Sequence, residues 1–238
     1  LQFIWIILLC SISVFTLYAA NIEGVRVPLE YFPKYGIYTA KIAIIDDVTQ
    51  QVEAIVDTGS AMVVFLGDGK SCPSCKNKSI TQGFIDPHKL NKTVKTPVTL
   101  KYASAQDQAY VYNGPIKYTD ENPANLIFFV LSKTTQASSI LGLLPDNFDL
   151  GKNTTSFVRT ITHDFNLRHR LTFVLCGEKS NSYFQIGETD LPKPIFITHL
   201  LKSHFYTIST YGFYDEKNQP ISKIDGTAMI DTGTGGFI

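Results

Sequence analysis

Two four-residue segments carry the chemistry of this chain: Asp57-Thr58-Gly59-Ser60 and Asp231-Thr232-Gly233-Thr234, 174 residues apart. Each follows an apolar run, Ala54-Ile55-Val56 in the first case and Ala228-Met229-Ile230 in the second. Such a run reads as a buried strand, and a Gly two residues past an Asp lets the chain turn tightly where the strand ends. Each segment therefore predicts a carboxylate on a strand-end loop, poorly solvated and surrounded by backbone amides. An Asp beside a Gly is commonly only a turn residue whose side chain caps its own backbone. Two like segments in matching apolar settings point instead to two carboxyl groups brought together from two similar halves.

A carboxyl pair in contact can hydrolyse. The two groups cannot both ionise cheaply, so they share one proton, and one apparent pKa rises while the other falls. The ionised member takes a proton from water while the protonated member gives one to a carbonyl oxygen. This chemistry requires no metal, no cofactor and no covalent intermediate. His88, His163, His169, His199 and His204 show no metal-ligand spacing and read as solvated or core residues.

The elements that position these loops are strands. Tyr, Phe and β-branched residues are plentiful, which favours an all-β architecture of many short strands. Alternation and apolar runs predict strands over 35–45, 51–56, 62–66, 98–102, 109–112, 126–131, 171–175 and 183–186. The strand at 51–56 enters the first Asp loop and the one at 62–66 leaves it. Ser156 caps a short helix whose Phe157, Ile161 and Phe165 share one face, suited to covering a sheet edge.

With 21 basic and 21 acidic residues, the formal net charge is zero, and nothing in it argues for nucleic acid or an anionic membrane as partner. Residues 1–20 carry no charge and end in Ala19-Ala20, the form of a secretory signal; their length also suffices to span a bilayer, so an uncleaved anchor stays open. Cys72-Pro73-Ser74-Cys75 has the spacing of a redox motif or half a zinc site. No βαβ pattern surrounds it and the chain holds no second ligand pair, so a surface-loop disulfide is the better reading in a secreted protein, with Cys176 left over. Asn77, Asn91 and Asn153 each begin a glycosylation sequon in a polar stretch.

Taken together, these motifs resemble the pepsin-like aspartic peptidases. The likeness runs from about Tyr35 to the end, through both Asp-Thr-Gly segments in order and through Ile140-Leu141-Gly142-Leu143, similar to the apolar-apolar-Gly segment that packs behind the first catalytic loop in that family. Leu171-Thr172-Phe173-Val174-Leu175 and Phe184-Gln185-Ile186-Gly187 are similar to its strands that join the lobes, and Cys72 and Cys75 fall where it often closes a small disulfide loop. The resemblance implies a bilobal fold: 1–20 signal or anchor, 21–34 a short leader, 35–195 the N-terminal catalytic lobe with the inter-lobe strands, and 196–238 the start of a C-terminal lobe cut short. It implies Asp57 and Asp231 as the catalytic pair, with Thr58, Gly59, Ser60, Thr232, Gly233 and Thr234 supporting them. Tyr102 and Ser104 would belong to a flap closing over substrate, although Ala103 and Ala105 stand where glycines are usual.

The function so implied is an aspartic endopeptidase of the secretory pathway, extracellular or lysosomal and vacuolar. It would be a monomer acting on an extended protein or peptide substrate, and membrane-bound only if residues 1–20 are retained. The expected activity belongs to a longer parent rather than to this 238-residue piece. The alternative is a non-catalytic binding or inhibitor glycoprotein on the same scaffold, since fold does not fix function.

Overall fold

Alternating apolar and polar residues turn most of the chain into strands. The computed structural model describes residues 24–45, 49–76, 79–90, 96–102, 105–119, 123–135, 138–144, 156–176, 181–188, 200–201, 205–210, 212–215, 217, 219–222 and 226–234. The first strands are β1 (Gly24–Pro28) and β2 (Glu30–Phe32); after a turn ending at Gly36, in the left-handed region with φ 65°, come β3 (Ile37–Ile44) and β4 (Gln50–Asp57). Next are β5 (Val63–Leu66), β6 (Val98–Tyr102), β7 (Ala105–Lys117), β8 (Pro123–Lys133) and β9 (Ser139–Gly142). The α-helix described, α1 (Phe157–Asp164), precedes β10 (Leu171–Val174) and β11 (Tyr183–Gly187). The described chain closes with β12 (Thr207–Thr210), β13 (Phe213–Tyr214), β14 (Pro220–Ser222) and β15 (Gly226–Met229).

Eight strands form one sheet in the order β2-β3-β4-β9-β5-β8-β7-β6, and a further pairing of β3 with β7 folds it back on itself. A three-stranded sheet, β1-β11-β10, packs Val25, Val27, Phe184 and Ile186 into the same apolar core. Two antiparallel ribbons, β12-β15 and β13-β14, complete the pairing. The architecture is therefore mostly β, as the composition predicts.

The helix begins where the sequence places it. Ser156 accepts the Arg159 amide at 3.2 Å, and Asn166 ends the last turn in the left-handed region with φ 51°. It does not cover a sheet edge, however. Phe157, Val158 and Ile161 are buried, and α1 packs against β8 and β11, bridging the large sheet to the small one.

Three other expectations change. Residues 21–34, read as a leader, contribute β1 and β2: the buried Val25 and Val27 alternate with the exposed Arg26 and Pro28 and pair with β11, which makes this stretch part of the core. The run before Asp231 does form a strand, but Met229 and Ile230 are 46% and 45% exposed, because β15 pairs only with β12 among the described residues. The Cys72–Cys75 disulfide is formed, yet its sulfurs are not at a surface. Both cysteines are buried in an apolar cluster with Val64, Leu66, Leu100 and Phe129, linking β5 to the base of the β6–β7 hairpin.

The topology around the first loop sets up the site. β4 and β5 are consecutive but do not pair with each other; β9 lies between them, parallel to β4 and antiparallel to β5. The loop joining β4 to β5 must therefore arch over the end of β9. Three amides there hold it: Gly142 donates to Met62 O at 3.1 Å, Leu143 to Asp57 O at 2.8 Å and Leu144 to Ser60 O at 2.8 Å. Gly142 has no room for a side chain, since a Cβ would lie 2.5 Å from Met62 O and 2.7 Å from Ser60 O. Backbone atoms cannot step aside as a side chain can. Gly142→Ala is expected to destabilise the fold by about 3 kcal/mol, read as a shift in the urea unfolding midpoint; a midpoint equal to that of the unaltered protein would show that the arch is not tightly seated.

Candidate active site

Asp57 ends β4, and Asp231 follows β15 by two residues. Their surroundings repeat. The Gly59 amide donates to Asp57 Oδ1 at 2.7 Å and the Ser60 hydroxyl donates to Asp57 Oδ2. In the second loop the Gly233 amide donates to Asp231 Oδ1 at 2.9 Å and the Thr234 hydroxyl to Asp231 Oδ2 at 2.7 Å. Each carboxyl group is thus oriented by the turn that follows it.

The two threonines lock the loops to each other. The Thr58 amide donates to Thr232 Oγ1 at 3.1 Å, and the Thr232 amide returns a bond to Thr58 Oγ1 at 3.0 Å. Each hydroxyl then donates onward across the gap, Thr58 Oγ1 to Ile230 O at 2.8 Å and Thr232 Oγ1 to Val56 O at 2.7 Å. A hydroxyl that accepts one bond and donates another is well satisfied, as burial of Thr58 demands. A valine, of similar shape, has neither function.

Close approach also explains both glycines. A Cβ on Gly59 would lie 3.0 Å from the Asp231 Cγ, and one on Gly233 would lie 2.5 Å from the Asp57 Cγ. Each glycine therefore faces the opposite carboxyl group. The carboxyls are near enough for Asp231 to share a hydrogen bond with Asp57 and to act on it electrostatically. The Asp57 pKa is raised to about 6: burial contributes most, the Ser60 hydroxyl and the Gly59 amide oppose it, and the neighbouring Asp231 adds to the rise.

The remaining sequence candidates fall in different places. Tyr102 is the last residue of β6 and pairs with Ala105 at the turn end of the hairpin. Ser104, Asn77, Asn91, Asn153 and residues 1–20 lie outside the described residues. Leu171–Val174 and Tyr183–Gly187 pair with each other in the three-stranded sheet. Among the described residues, no group of three or more His, Cys, Asp or Glu is placed to hold a metal ion, and no helix is long and apolar enough to cross a membrane. The sequence marked the segment holding Gly142 and Leu143 without revealing that their amides fix the first loop. A glycine directly after Ser-Ile-Leu in a strand was the available signal, because an interior strand glycine often marks close backbone approach.

The raised Asp57 pKa has a consequence for stability. The folded state holds a proton that the unfolded chain releases near its ordinary carboxylate value, so this contribution is present at acid pH and is lost as pH rises through about 6. Between about pH 4 and pH 7 it amounts to about 2 kcal/mol. Unfolding free energies measured across that window are expected to show this loss, and Asp57→Asn, which cannot ionise, is expected to flatten it. An unchanged slope in the variant would mean that Asp57 is not the group responsible.

No family model matches the chain, and no curated protein matches it.

Proposed function

We propose that the protein is a pepsin-like aspartic endopeptidase, with the bilobal architecture of that family and a catalytic pair formed by Asp57 and Asp231. One observation carries the reading: two Asp-Thr-Gly loops, far apart in sequence, cross-bond through Thr58 and Thr232 so that each glycine meets the opposite carboxyl group. A pair of turn residues serving only their own backbones would have no need of that exchange. It brings two acids together and keeps them there.

The reaction follows from the shared proton. A water held between the carboxyls attacks the peptide carbonyl carbon, and its proton passes to the ionised carboxylate. The protonated carboxyl gives its proton to the carbonyl oxygen, which yields a tetrahedral diol without a charged oxygen. The pair then gives its proton to the amide nitrogen while a diol hydroxyl returns one to the other carboxylate, so the C–N bond breaks, acid and amine are released, and the pair again holds a single proton. No cofactor enters. The Gly59 and Gly233 amides and the Ser60 and Thr234 hydroxyls keep the carboxyl planes fixed during these transfers.

The substrate is a protein or peptide in extended form. It would lie across the loops beneath the β6–β7 hairpin, whose ladder ends at Tyr102 and Ala105. The disulfide and the sequence of residues 1–20 support action along the secretory route, extracellular or lysosomal and vacuolar. On this reading the enzyme is a monomer, glycosylated at Asn77, Asn91 and Asn153.

The test is peptide hydrolysis by the protein secreted from a eukaryotic host, with whatever residues its gene places before Leu1 and after Ile238. Cleavage of denatured casein is expected at acid pH, with kcat/KM falling as pH rises above about 6, where the pair loses its proton. Asp57→Asn and Asp231→Asn are each expected to reduce it at least about a thousandfold. Equal behaviour of all three proteins, active or inactive, would favour the non-catalytic binding protein on the same scaffold.

A further inference from the structure

The two halves repeat a strand register beside their loops. Thr39 of β3 faces Ile55, and Thr207 of β12 faces Met229, each partner standing two residues before its Asp. Tyr38 and Tyr206, which precede those threonines, therefore occupy like positions. The Tyr38 ring lies against Tyr31, with centroids 4.9 Å apart, within its own half. Tyr206 reaches across: its hydroxyl donates to Leu143 O at 3.0 Å, 63 residues earlier.

Leu143 and Tyr206 each hold one loop and also hold each other. The Leu143 amide donates to Asp57 O at 2.8 Å, and the Tyr206 carbonyl accepts the Ile230 amide at 2.8 Å. A continuous path of three bonds thus runs from the backbone of Asp57, through Leu143 and Tyr206, to the residue before Asp231. It is separate from the threonine exchange, which uses Val56, Thr58, Ile230 O and Thr232.

We infer that Tyr206 is a positioning residue for the carboxyl pair, fixing the strand that leads to Asp231 onto the turn that holds Asp57. Two bodies joined only at the threonines keep freedom to rotate about that junction. A second attachment, at another point on the same two bodies, removes it. The bond is directional, and its acceptor belongs to the buried Leu143, so water cannot readily replace it. The catalytic consequence rests on the peptidase reading; the geometric one does not.

Tyr206→Phe removes the hydroxyl and keeps the ring. The direct readout is the titration of the Asp57 carboxyl, followed by carbon-13 NMR of labelled aspartate in the folded protein. In the unaltered protein the midpoint is expected at about 6. In the variant, Asp231 can withdraw and water can enter, so the midpoint is expected to fall toward about 4. Ile161→Val in α1, which lowers stability by trimming the core, is expected to leave the midpoint in place and so separates positioning from general loosening. In the hydrolysis assay, Tyr206→Phe is expected to lower kcat roughly three- to tenfold with KM little changed, matching the loss of one hydrogen bond.

An Asp57 midpoint identical in Tyr206→Phe and the unaltered protein would overturn the inference, as would a variant that no longer folds, since the hydroxyl would then be a structural strut. Absence of hydrolysis in the unaltered protein, together with a lowered midpoint in the variant, would sink the peptidase reading and leave the positioning role standing.

Discussion

Two acid side chains that repel when ionised are held in contact, and the rest of the molecule around them is arranged to make that contact possible. Left to themselves, two carboxylates in water would separate. The reciprocal bonds between Thr58 and Thr232 oppose that, because each hydroxyl satisfies an amide of the other loop and a carbonyl beyond it. Breaking the contact would leave four backbone groups to find new partners, a penalty of the same order as the repulsion. Burial does the remainder by holding the Asp57 carboxyl protonated up to about pH 6, which removes one of the charges.

This constraint accounts for features that otherwise look unrelated. Gly59 and Gly233 are required by the opposite carboxyl rather than by backbone torsion, since neither has a positive φ. Gly142 is required because β9 runs between β4 and β5 and its end must fit beneath the arch. The disulfide lies on the exit side of the same arch, packed with Val64 and Leu66 of β5, and extends its support to the hairpin through Leu100. The first loop is thereby held by core packing. Among the described residues, the second is joined to the first through both threonines and through Tyr206.

Much of this was legible in the sequence, and what was missed shares a cause. The Asp-Thr-Gly segments were visible because their chemistry is local: within three residues of each carboxyl, a glycine amide and a hydroxyl orient its oxygens. The strand at 98–102 and the Ser156 cap were legible for the same reason, resting on alternation and on a single donor–acceptor pair. The strand role of residues 24–28 depends on β11, more than 150 residues onward, and a short alternating pair of valines does not announce such a partner. Burial of Cys72 and Cys75 is set by the hairpin packed over them, which spacing alone cannot convey. The part of Tyr206 was hidden because its hydroxyl meets a backbone carbonyl, and any residue would offer the same acceptor.

The central claim concerns where one hydrogen resides, so the most direct measurement locates it. Neutron diffraction from deuterated crystals grown near pH 5 would show deuterium positions around both carboxyl groups. One deuteron lying between an oxygen of Asp57 and an oxygen of Asp231 is the expected result. Two carboxylates without a deuteron between them, each turned to its own solvent, would contradict it.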